Sequence, residues 1–480
     1  MTNPTFDVII IGAGPVGENV ADRVVQGGLT AAIVERELIG GECSYWACMP
    51  TKALLRDAAA LRAVAALPGA GAAVTGDLDV SAVLRRRDSF ASHWKDDGQA
   101  AWLESAGVTL FRGEGRISGT RQVSVVDSFG ASQTLDARHA VVIATGSSAR
   151  VPEVPGLAAA RPWTSREAAS TPTVPERLAI IGGGVVGVEM ATAFSAFGTA
   201  VTIVARDGLL PAIEPFAREL LTESLCAKGV SLHLSTEPTS VTRHDSGLVH
   251  IDLADGTAVL ADEVLVATGR MPNTSRLGVE SVGLTPGDWL TVDDALLVLR
   301  DGAPVEGAWL YAAGDVSRRV LLTHQGKYQA RILGDSIVAR AQGAALDATA
   351  WGRHAFTADD LAVPQVIFAD PEIASVGLTV AEATRRGLRI RAVEYDLGAV
   401  AGASLHADGY TGRAGMVVDE DRGVIVGFTV VGPDVAELLH AATIAIAGEV
   451  PIDRLWHAVP AYPTVSEVWL RLLETYGRKS

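Results

Sequence analysis

The stretch FDVIIIGAGPVG, residues 6–17, decides how the first part of this chain folds. Its apolar run predicts a buried parallel strand, and the glycines after it predict a tight turn into a helix that reaches about Gln26. In such a turn Gly12, Gly14 and Gly17 let the backbone approach a pyrophosphate, whose charge the helix N-terminus favours. The pattern therefore predicts a dinucleotide site.

A second apolar strand, residues 31–34, follows this helix and ends at Glu35. An acidic side chain at that position can accept hydrogen bonds from ribose hydroxyls, and we place its neighbour Arg36 among the cofactor contacts as well. A glycine motif alone is weak evidence. The strand, turn, helix and acid together favour a complete nucleotide-binding unit.

The glycine pattern recurs much later in the chain. Residues 178–181 predict a strand, and the glycines that follow it in the required spacing are Gly182, Gly184 and Gly187. The next strand, residues 200–204, is followed by Ala205-Arg206 rather than by an acid, and a guanidinium there can pair with a 2′-phosphate. This favours NADPH over NADH. Two nucleotide sites on one chain also imply that one dinucleotide donates electrons to the other.

Two cysteines lie in the stretch GGECSYWACMPTK, residues 40–52, just after the first nucleotide unit. Regular helical spacing leaves Cys43 and Cys48 about 140° out of line, so a bridge needs a distorted helical turn, which the two glycines permit. A helix N-terminus lowers the pKa of a thiol toward a reactive thiolate. Buried structural cysteines or half of a zinc site are the alternatives, but no further zinc ligands follow nearby. We therefore expect a redox pair and no metal site.

Composition limits the possible classes of protein. At 480 residues and 48% hydrophobic content the chain can form two or three domains, and its net charge of −16 argues against nucleic acid or an anionic membrane as a partner. Three cysteines fit a reducing cytoplasm, and we expect the third, Cys226, to be a packing residue. The first apolar run leads into a glycine turn and reads as a strand, not a signal peptide, and no stretch is long enough to span a bilayer.

These motifs, in this order, resemble the FAD-dependent pyridine nucleotide–disulfide oxidoreductases, the family of glutathione reductase, dihydrolipoamide dehydrogenase and mercuric reductase. The resemblance covers essentially the whole chain. It implies an α/β fold with two Rossmann-like domains, which bind FAD and NADPH, and a C-terminal α+β dimerisation domain. The implied segments are 1–155 and 281–350 for FAD, 156–280 for NAD(P) and 351–480 for the interface. The implied partner is a second copy of the chain, in a homodimer whose active site both subunits share.

The resemblance also assigns roles to residues. Cys43 would be the thiol that meets substrate, Cys48 the charge-transfer thiol against the flavin, and Lys52 would lie near flavin N5, paired with Glu189. The remaining residues that the resemblance assigns to cofactor binding are Gly41, Glu42, Gly115, Thr145, Gly146, Ser147, Gly269, Arg270, Gly314, Asp315, Leu322 and Thr323. Tyr45 and Trp46 replace smaller residues of the relatives, so we expect a reshaped substrate pocket.

The most informative departure lies in AYPTVSE, residues 461–467. The family carries a catalytic histidine where this chain has Tyr462, whereas Glu467 matches the family's glutamate. The ordinary pKa values of tyrosine and histidine side chains are roughly 10 and 6.5. Forming the basic state at neutral pH therefore costs about 5 kcal/mol more free energy for tyrosine than for histidine. His457 lies close enough in sequence to be considered as a substitute. Mercuric reductase also has tyrosine here, but it carries a C-terminal cysteine pair that this chain lacks, so efficient mercury handling is not expected.

Three hypotheses follow. The main one is a homodimeric flavoenzyme that passes electrons from NADPH through FAD and the Cys43–Cys48 pair to a small-molecule acceptor such as a quinone, a metal ion or an unusual disulfide. The second is a conventional dihydrolipoamide dehydrogenase or low-molecular-weight disulfide reductase in which His457 replaces the usual base. The third, from another class, is a non-catalytic flavoprotein redox sensor, which would have no need for two nucleotide sites.

Overall fold

The computed structural model describes residues 2–477 of the chain. These residues divide into two compact units. The first comprises residues up to 50, 88–150 and 269–359, and the second comprises residues 51–87, 151–268 and those from 360 onward. The predicted division into FAD, NAD(P) and interface segments stays a prediction.

The strands are, in chain order, β1 Thr5–Ile11, β2 Ala31–Glu35, β3 Thr109–Arg112, β4 Glu114–Gly119, β5 Gln122–Val126, β6 Ser132–Ile143, β7 Ser147–Ala149, β8 Arg177–Ile181, β9 Ala200–Ala205, β10 Ser231–Leu234, β11 Pro238–Arg243, β12 Val249–Leu253, β13 Ala258–Ala261, β14 Glu263–Val266, β15 Arg270–Pro272, β16 Leu299–Arg300, β17 Ala303–Pro304, β18 Leu310–Ala312, β19 Pro364–Ile367, β20 Glu372–Gly377, β21 Ile390–Asp396, β22 Arg413–Asp419 and β23 Val424–Gly432.

The α-helices are α1 Pro15–Gln26, α2 Gly41–Tyr45, α3 Cys48–Ala65, α4 Pro68–Gly71, α5 Val80–Phe90, α6 Asp97–Ser105, α7 Ser165–Ser170, α8 Val185–Ala196, α9 Pro215–Ala227, α10 Thr323–Ala341, α11 Ala358–Leu361, α12 Val380–Arg385, α13 Ala401–His406, α14 Leu439–Ala447, α15 Ile452–Leu455 and α16 Val468–Tyr476.

The first unit is built on a sheet with the order β3-β2-β1-β6-β5-β4, and β18 joins it beside β6. The pairs around β1 are parallel, whereas β4, β5 and β6 pair antiparallel. Side chains alternate between the two faces of β1, so Val8 and Ile10 join one core and Ile9 and Ile11 the other. Helices α1 and α10 cover the first of these faces. The carboxyl end of β1 therefore lies where nucleotides bind in parallel α/β sheets, just beyond the carboxyl ends of the strands.

The second unit contains a parallel sheet, β10-β9-β8-β14, and two antiparallel sheets, β11-β12-β13 and β19-β20-β23-β22-β21. Helix α8 packs on the parallel sheet through Val188, Met190 and Phe194. In the five-stranded sheet, α14 contacts β20 and β23, and α16 contacts β21 and β22. The predicted α/β class, with an α+β arrangement near the C-terminus, is the observed one.

Two element boundaries have a local cause. Strands β3 and β4 are separated at Gly113, which adopts a φ of +153° and turns the chain. Strand β20 ends at Gly377, and Thr379 caps α12 by accepting a hydrogen bond from Glu382 N. Within residues 2–477, no helix combines the length and the apolar character needed to cross a bilayer.

Candidate active site

The two glycine turns have the same backbone geometry in their separate units. Gly12 has a φ of +102°, and a Cβ there would lie 2.5 Å from the carbonyl oxygen of Ala144. Gly182 has a φ of +119°, and a Cβ there would lie 2.4 Å from the carbonyl oxygen of Ala267. A side chain at either position would collide with backbone, so each glycine is required by the close approach of two strand ends.

Packing does not require glycine at the middle position of either turn, Gly14 or Gly184. A Cβ at Gly14 would meet no described atom within 4 Å, and one at Gly184 would meet only the oxygen of Ala267 at 4.0 Å. Each opens α1 or α8 at its N-terminus, where backbone N–H groups are unpaired and the helix dipole is positive. The free space above both turns therefore fits a ligand phosphate rather than protein.

A cavity of about 320 Å³ lies beside the first turn. Its lining includes Gly12, Glu35, Arg36, Gly115, Thr145 and Ser148. The hydroxyl oxygen of Thr145 is buried and has no hydrogen-bond partner within residues 2–477. Buried polar groups are normally paired, so this hydroxyl fits a polar ligand in the cavity. The volume is within the range of about 300–1,000 Å³ that small-molecule sites occupy.

Glu35 stands at the edge of this cavity, as predicted from its place after β2. Its Oε2 accepts a hydrogen bond from Ala13 N at 2.7 Å, and its Oε1 accepts one from Glu37 N at 2.8 Å. These two bonds fix the carboxylate beside the glycine turn. Each oxygen keeps a lone pair that can accept a further bond from a ligand hydroxyl.

Asp315 is held by residues that come from distant parts of the sequence. Ser147 Oγ donates to Asp315 Oδ2 at 2.5 Å, and Arg270 Nε donates to the same hydroxyl at 2.5 Å. The preceding amide, Gly314 N, donates to Gln329 Oε1 at 2.8 Å. The structure therefore brings together Ser147, Arg270 and Asp315, which the sequence placed separately among the cofactor contacts.

Sequence reasoning missed Gln329 and its partner Asp359. Gln329 Nε2 donates to Asp359 Oδ2 at 2.7 Å, and both side chains are buried. A polar residue on the buried face of the long helix α10 was the available signal, because such a residue needs a partner. Its function in the fold is to hold the turn at Gly314.

Residues 40–52, which contain both cysteines, are called the redox stretch. The two cysteines lie on different helices. Cys43 is in α2 and Cys48 is the first residue of α3, with a break at Trp46, whose φ is −135°. This break supplies the distortion that the four-residue spacing was expected to need. The structure holds the two thiols in the reduced form. Cys48 Sγ lies 3.4 Å from Thr323 Oγ1, at the N-terminus of α10.

The pKa of Cys43 is raised well above its ordinary value, first by a hydrogen bond to Cys48 and then by burial. The expected lowering of the pKa by a helix N-terminus is not found for Cys43, because the hydrogen bond to Cys48 and burial both favour the protonated thiol. Thr323 and the charge of Lys327 oppose the rise. The arrangement keeps the proton on Cys43 while the pair is reduced.

Lys52 lies one helical turn after Cys48 on α3, and its partner is Glu189 on α8. The ammonium donates to Glu189 Oε2 at 2.7 Å, and the carboxylate is buried. Phe368 N donates to the other carboxylate oxygen at 3.0 Å. The ion pair expected between Lys52 and Glu189 is present, while its role beside a flavin stays a prediction.

The second nucleotide turn lacks the acid of the first. Strand register pairs Ile11 with Val34 in one sheet and Ile181 with Val204 in the other, so Ala205 stands where Glu35 stands. Arg206 follows Ala205 and is 70% exposed, with its guanidinium 3.0 Å from Asp207 and 3.9 Å from Glu237.

The C-terminal residues differ sharply in burial. Tyr462 is 76% exposed, whereas Glu467 is 6% exposed, and the Oε2 atom of Glu467 has no hydrogen-bond partner among residues 2–477. His457 is also exposed. Tyr462 therefore lies on the surface of this chain, five positions before the buried carboxylate of Glu467.

One expectation about a side chain is wrong. Cys226 is exposed on α9 rather than a packing residue, because the buried face of that helix is formed by Leu221 and Leu225. The reshaped substrate pocket stays a prediction, with Tyr45 fully buried and Trp46 partly exposed. Among residues 2–477, no cluster of three histidine, cysteine or acidic side chains could hold a metal ion.

Comparison with known proteins identifies the family. Residues 6–333 match the family described as pyridine nucleotide-disulphide oxidoreductase, and residues 363–472 match its dimerisation domain. A mercuric reductase from Acidithiobacillus ferrooxidans is 32% identical over 479 residues, which cover 98% of this chain and 82% of the relative. A dihydrolipoyl dehydrogenase from Chlamydia pneumoniae is 30% identical over 473 residues, covering 97% and 95%.

Solved structures show the same fold. LpdA from Mycobacterium tuberculosis superposes with a TM-score of 0.81 at 25% identity, covering 99% of this chain and 100% of that one. The HOCl-induced flavoprotein disulfide reductase RclA from Escherichia coli has a TM-score of 0.81 at 22% identity, covering 98% and 99%. Members of this family use FAD and a pyridine nucleotide. The chain therefore belongs to the pyridine nucleotide-disulphide oxidoreductases, enzymes whose C-terminal domain mediates dimerisation.

Proposed function

We propose that this chain is an NADPH-dependent flavoenzyme that reduces a small-molecule acceptor through the Cys43–Cys48 pair. The observation that carries the proposal is the thiol pair itself. The two sulfurs face each other across a helix break, and Thr323 contacts one of them at 3.4 Å. A second feature restricts the chemical class of the acceptor. Tyr462 occupies the position of the family's histidine base. Quinones, metal ions and unusual disulfides are acceptors whose reduction does not require that base.

The residues of the first unit fit FAD. The turn at Gly14 would take the pyrophosphate, Glu35 the adenosine ribose, and Thr145 and the cavity beside it the rest of the adenosine portion. Asp315, fixed by Ser147, would hold the ribityl hydroxyls. When bound, FAD supplies two-electron chemistry between a nicotinamide and a dithiol.

Side chains of the protein determine which thiol of the pair carries a proton. Cys43 keeps its proton in the reduced state, because a hydrogen bond to Cys48 and burial both raise its pKa. The hydroxyl of Thr323 can donate to a thiolate at Cys48. Cys43 would then be the thiol that carries a proton to an acceptor, and Tyr462 of a second subunit would donate a hydrogen bond rather than act as a base.

The cofactor preference rests on Arg206. With Ala205 in the place of the ribose-binding acid, no carboxylate of β9 opposes a 2′-phosphate, and the guanidinium of Arg206 is exposed. Asp207 and Glu237, which pair with it, would be displaced by the phosphate. In the same proposal Lys52 and Glu189 form the ion pair beside the flavin, Glu467 supports Tyr462 at a homodimer interface, and the enzyme acts in the cytoplasm.

An anaerobic titration of the FAD-loaded dimer with NADPH tests the proposal. We expect uptake of two electrons per subunit with a long-wavelength thiolate–flavin absorbance, followed by reoxidation with a quinone. Cys43→Ser should abolish transfer to acceptors that need the dithiol, and NADH should reduce the enzyme more weakly. Full lipoamide reduction at family rates, with Cys43→Ser unchanged toward every other acceptor, would overturn the proposal.

A further inference from the structure

Three consecutive non-glycine residues lie in the left-handed region of backbone space. Ser92, His93 and Trp94 have φ values of 49°, 51° and 54°. L-residues avoid this region, and a run of three persists only where the surroundings hold it in place. These residues and the next two, Lys95 and Asp96, form a segment that we call the 92–96 turn. The strain of this turn must therefore be offset by the contacts that the turn makes.

Asp96 occupies the N-cap position of α6 but does not cap that helix. Its Oδ2 instead accepts hydrogen bonds from Ile39 N at 2.8 Å and from Arg112 Nη1 at 2.6 Å. Aspartate at an N-cap ordinarily accepts from its own helix. Burial alone would raise the pKa of Asp96, but the bonds from Arg112 and Ile39 lower it, so the carboxylate stays charged. This charge anchors the loop that leads into α2.

Tyr45 connects the other end of α2 to the same turn. Its side chain is fully buried, and its O–H donates to the carbonyl oxygen of Lys95 at 3.3 Å. Burial, with a smaller contribution from the charge of Asp96, raises the pKa of Tyr45 to about 12, so the phenol keeps its proton. Two neighbouring residues of the 92–96 turn therefore hold α2 at its entry and at its exit.

Helix α2 needs such support because it is five residues long. It begins after Gly40, whose φ is +105°, and ends at the break at Trp46. A helix of this length is not stable by itself. Cys43 lies in its middle, so the position of this sulfur relative to Cys48 depends on how α2 is anchored.

We propose that Tyr45 and Asp96 are positioning residues that hold Cys43 beside Cys48 and thereby set the reduction potential of this pair. The inference rests on the redox role proposed above. In the half-reaction the disulfide takes up two electrons and two protons, the S–S bond breaks and two thiols form. Holding the thiols together raises their effective concentration, favours the disulfide and makes the potential more negative.

The test uses the full-length, FAD-loaded protein equilibrated in dithiothreitol redox buffers, with the thiols of Cys43 and Cys48 counted by alkylation and mass spectrometry. Asp96→Ala should lower the effective concentration about tenfold, which raises the potential by about 30 mV. Tyr45→Phe, which keeps the ring, should have about half that effect. Asp96→Asn should recover part of the loss, since its amide oxygen can still accept from Ile39 N.

Arg138→Ala serves as the matched control. It removes an exposed ion pair with Asp7, 3.0 Å long, in the same unit but away from α2, and should leave the potential unchanged. A wild-type protein in which Cys43 and Cys48 form no reversible disulfide would refute the redox function itself. A normal wild-type couple with unshifted potentials in both Asp96→Ala and Tyr45→Phe would leave that function standing and refute the positioning role.

Discussion

The ammonium of Lys52 donates to Glu189 across 2.7 Å, and the backbone N–H of Phe368 donates to the other oxygen of the same carboxylate at 3.0 Å. Glu189 is buried, whereas about a third of the Lys52 side chain is exposed (35%). Glu189 is thus the partner whose charge depends more on bonds within the protein, because it has less access to water. Without it, both a cation and a backbone donor would lose their acceptor in a low-dielectric environment.

Removing the Glu189 carboxylate should therefore cost stability. We expect Glu189→Ala to lower the free energy of unfolding by about 2 kcal/mol, less than for a fully buried pair because Lys52 keeps contact with water. Glu189→Gln should cost about half as much, since its amide oxygen can still accept from Lys52 or Phe368. Guanidinium unfolding of the three proteins measures this, and equal midpoints would show that the pair contributes nothing.

The thiol pair predicts a measurable pH effect. The pKa of Cys43 is raised first by the hydrogen bond to Cys48, so Cys48→Ala should lower it. The alkylation rate of Cys43 with iodoacetamide, followed against pH in the reduced protein, should then inflect at lower pH than in wild type. Cys226→Ala is the control, since this exposed thiol lies on α9 in the other unit. An unchanged inflection in Cys48→Ala would contradict the assignment.

Glu18 predicts a pH dependence of stability. Burial raises its pKa from 4.5 to about 7, although the charge of Lys327 opposes the rise. The folded state therefore binds a proton that the unfolded state has released, so stability should fall as pH rises from about 4.5 to about 7. The loss is at most about 3 kcal/mol.

Glu18→Gln should remove this loss, and its gain in unfolding free energy over wild type should be larger at pH 8 than at pH 5. Unfolding measured at both pH values compares the two proteins. A gain that is the same at the two pH values would mean that Glu18 does not titrate in this range.

Arg206 predicts the preference for NADPH. A charge-assisted hydrogen bond to a 2′-phosphate contributes about 1.5–3 kcal/mol, so Arg206→Ala should raise the KM for NADPH about 10–100-fold. The KM for NADH should change little, because NADH carries no phosphate there. Asp207→Ala, which frees Arg206 from a 3.0 Å ion pair, should instead improve NADPH binding. Equal losses for both nucleotides in Arg206→Ala would argue against the assignment.

Substitution of Tyr462 should change the rate of disulfide reduction much more than the rate of quinone reduction. Tyr462→His should raise low-molecular-weight disulfide reduction at neutral pH by about 10²-fold or more, because histidine titrates near pH 6.5 and tyrosine near 10. Tyr462→Phe should leave quinone reduction within a few-fold of wild type. Steady-state rates with a disulfide and a quinone make the comparison. Loss of disulfide reduction in His457→Ala but not in Tyr462→Phe would favour His457 as the base.

The sequence by itself determined the fold class, the two glycine turns and the redox stretch. Each glycine turn is a local pattern, in which an apolar strand, glycines at fixed spacing and a helix occur within about 30 residues. The two cysteines of the redox stretch are likewise close together in the sequence. The same local reading failed for Cys226, because burial on α9 depends on which face meets the core. Nor could it show that Tyr45 is buried and donates to the carbonyl oxygen of Lys95, a residue 50 positions away.

Only the tertiary structure decided which separated side chains act together. Asp315 meets Ser147 and Arg270, Lys52 meets Glu189, and Asp96 meets Ile39, in each case across 45 to 168 positions of the chain. Such contacts depend on strand order and helix packing, which no short window of sequence contains. The raised pKa of Cys43 has the same origin, since it follows from a neighbouring sulfur and from burial that exist only in the folded chain.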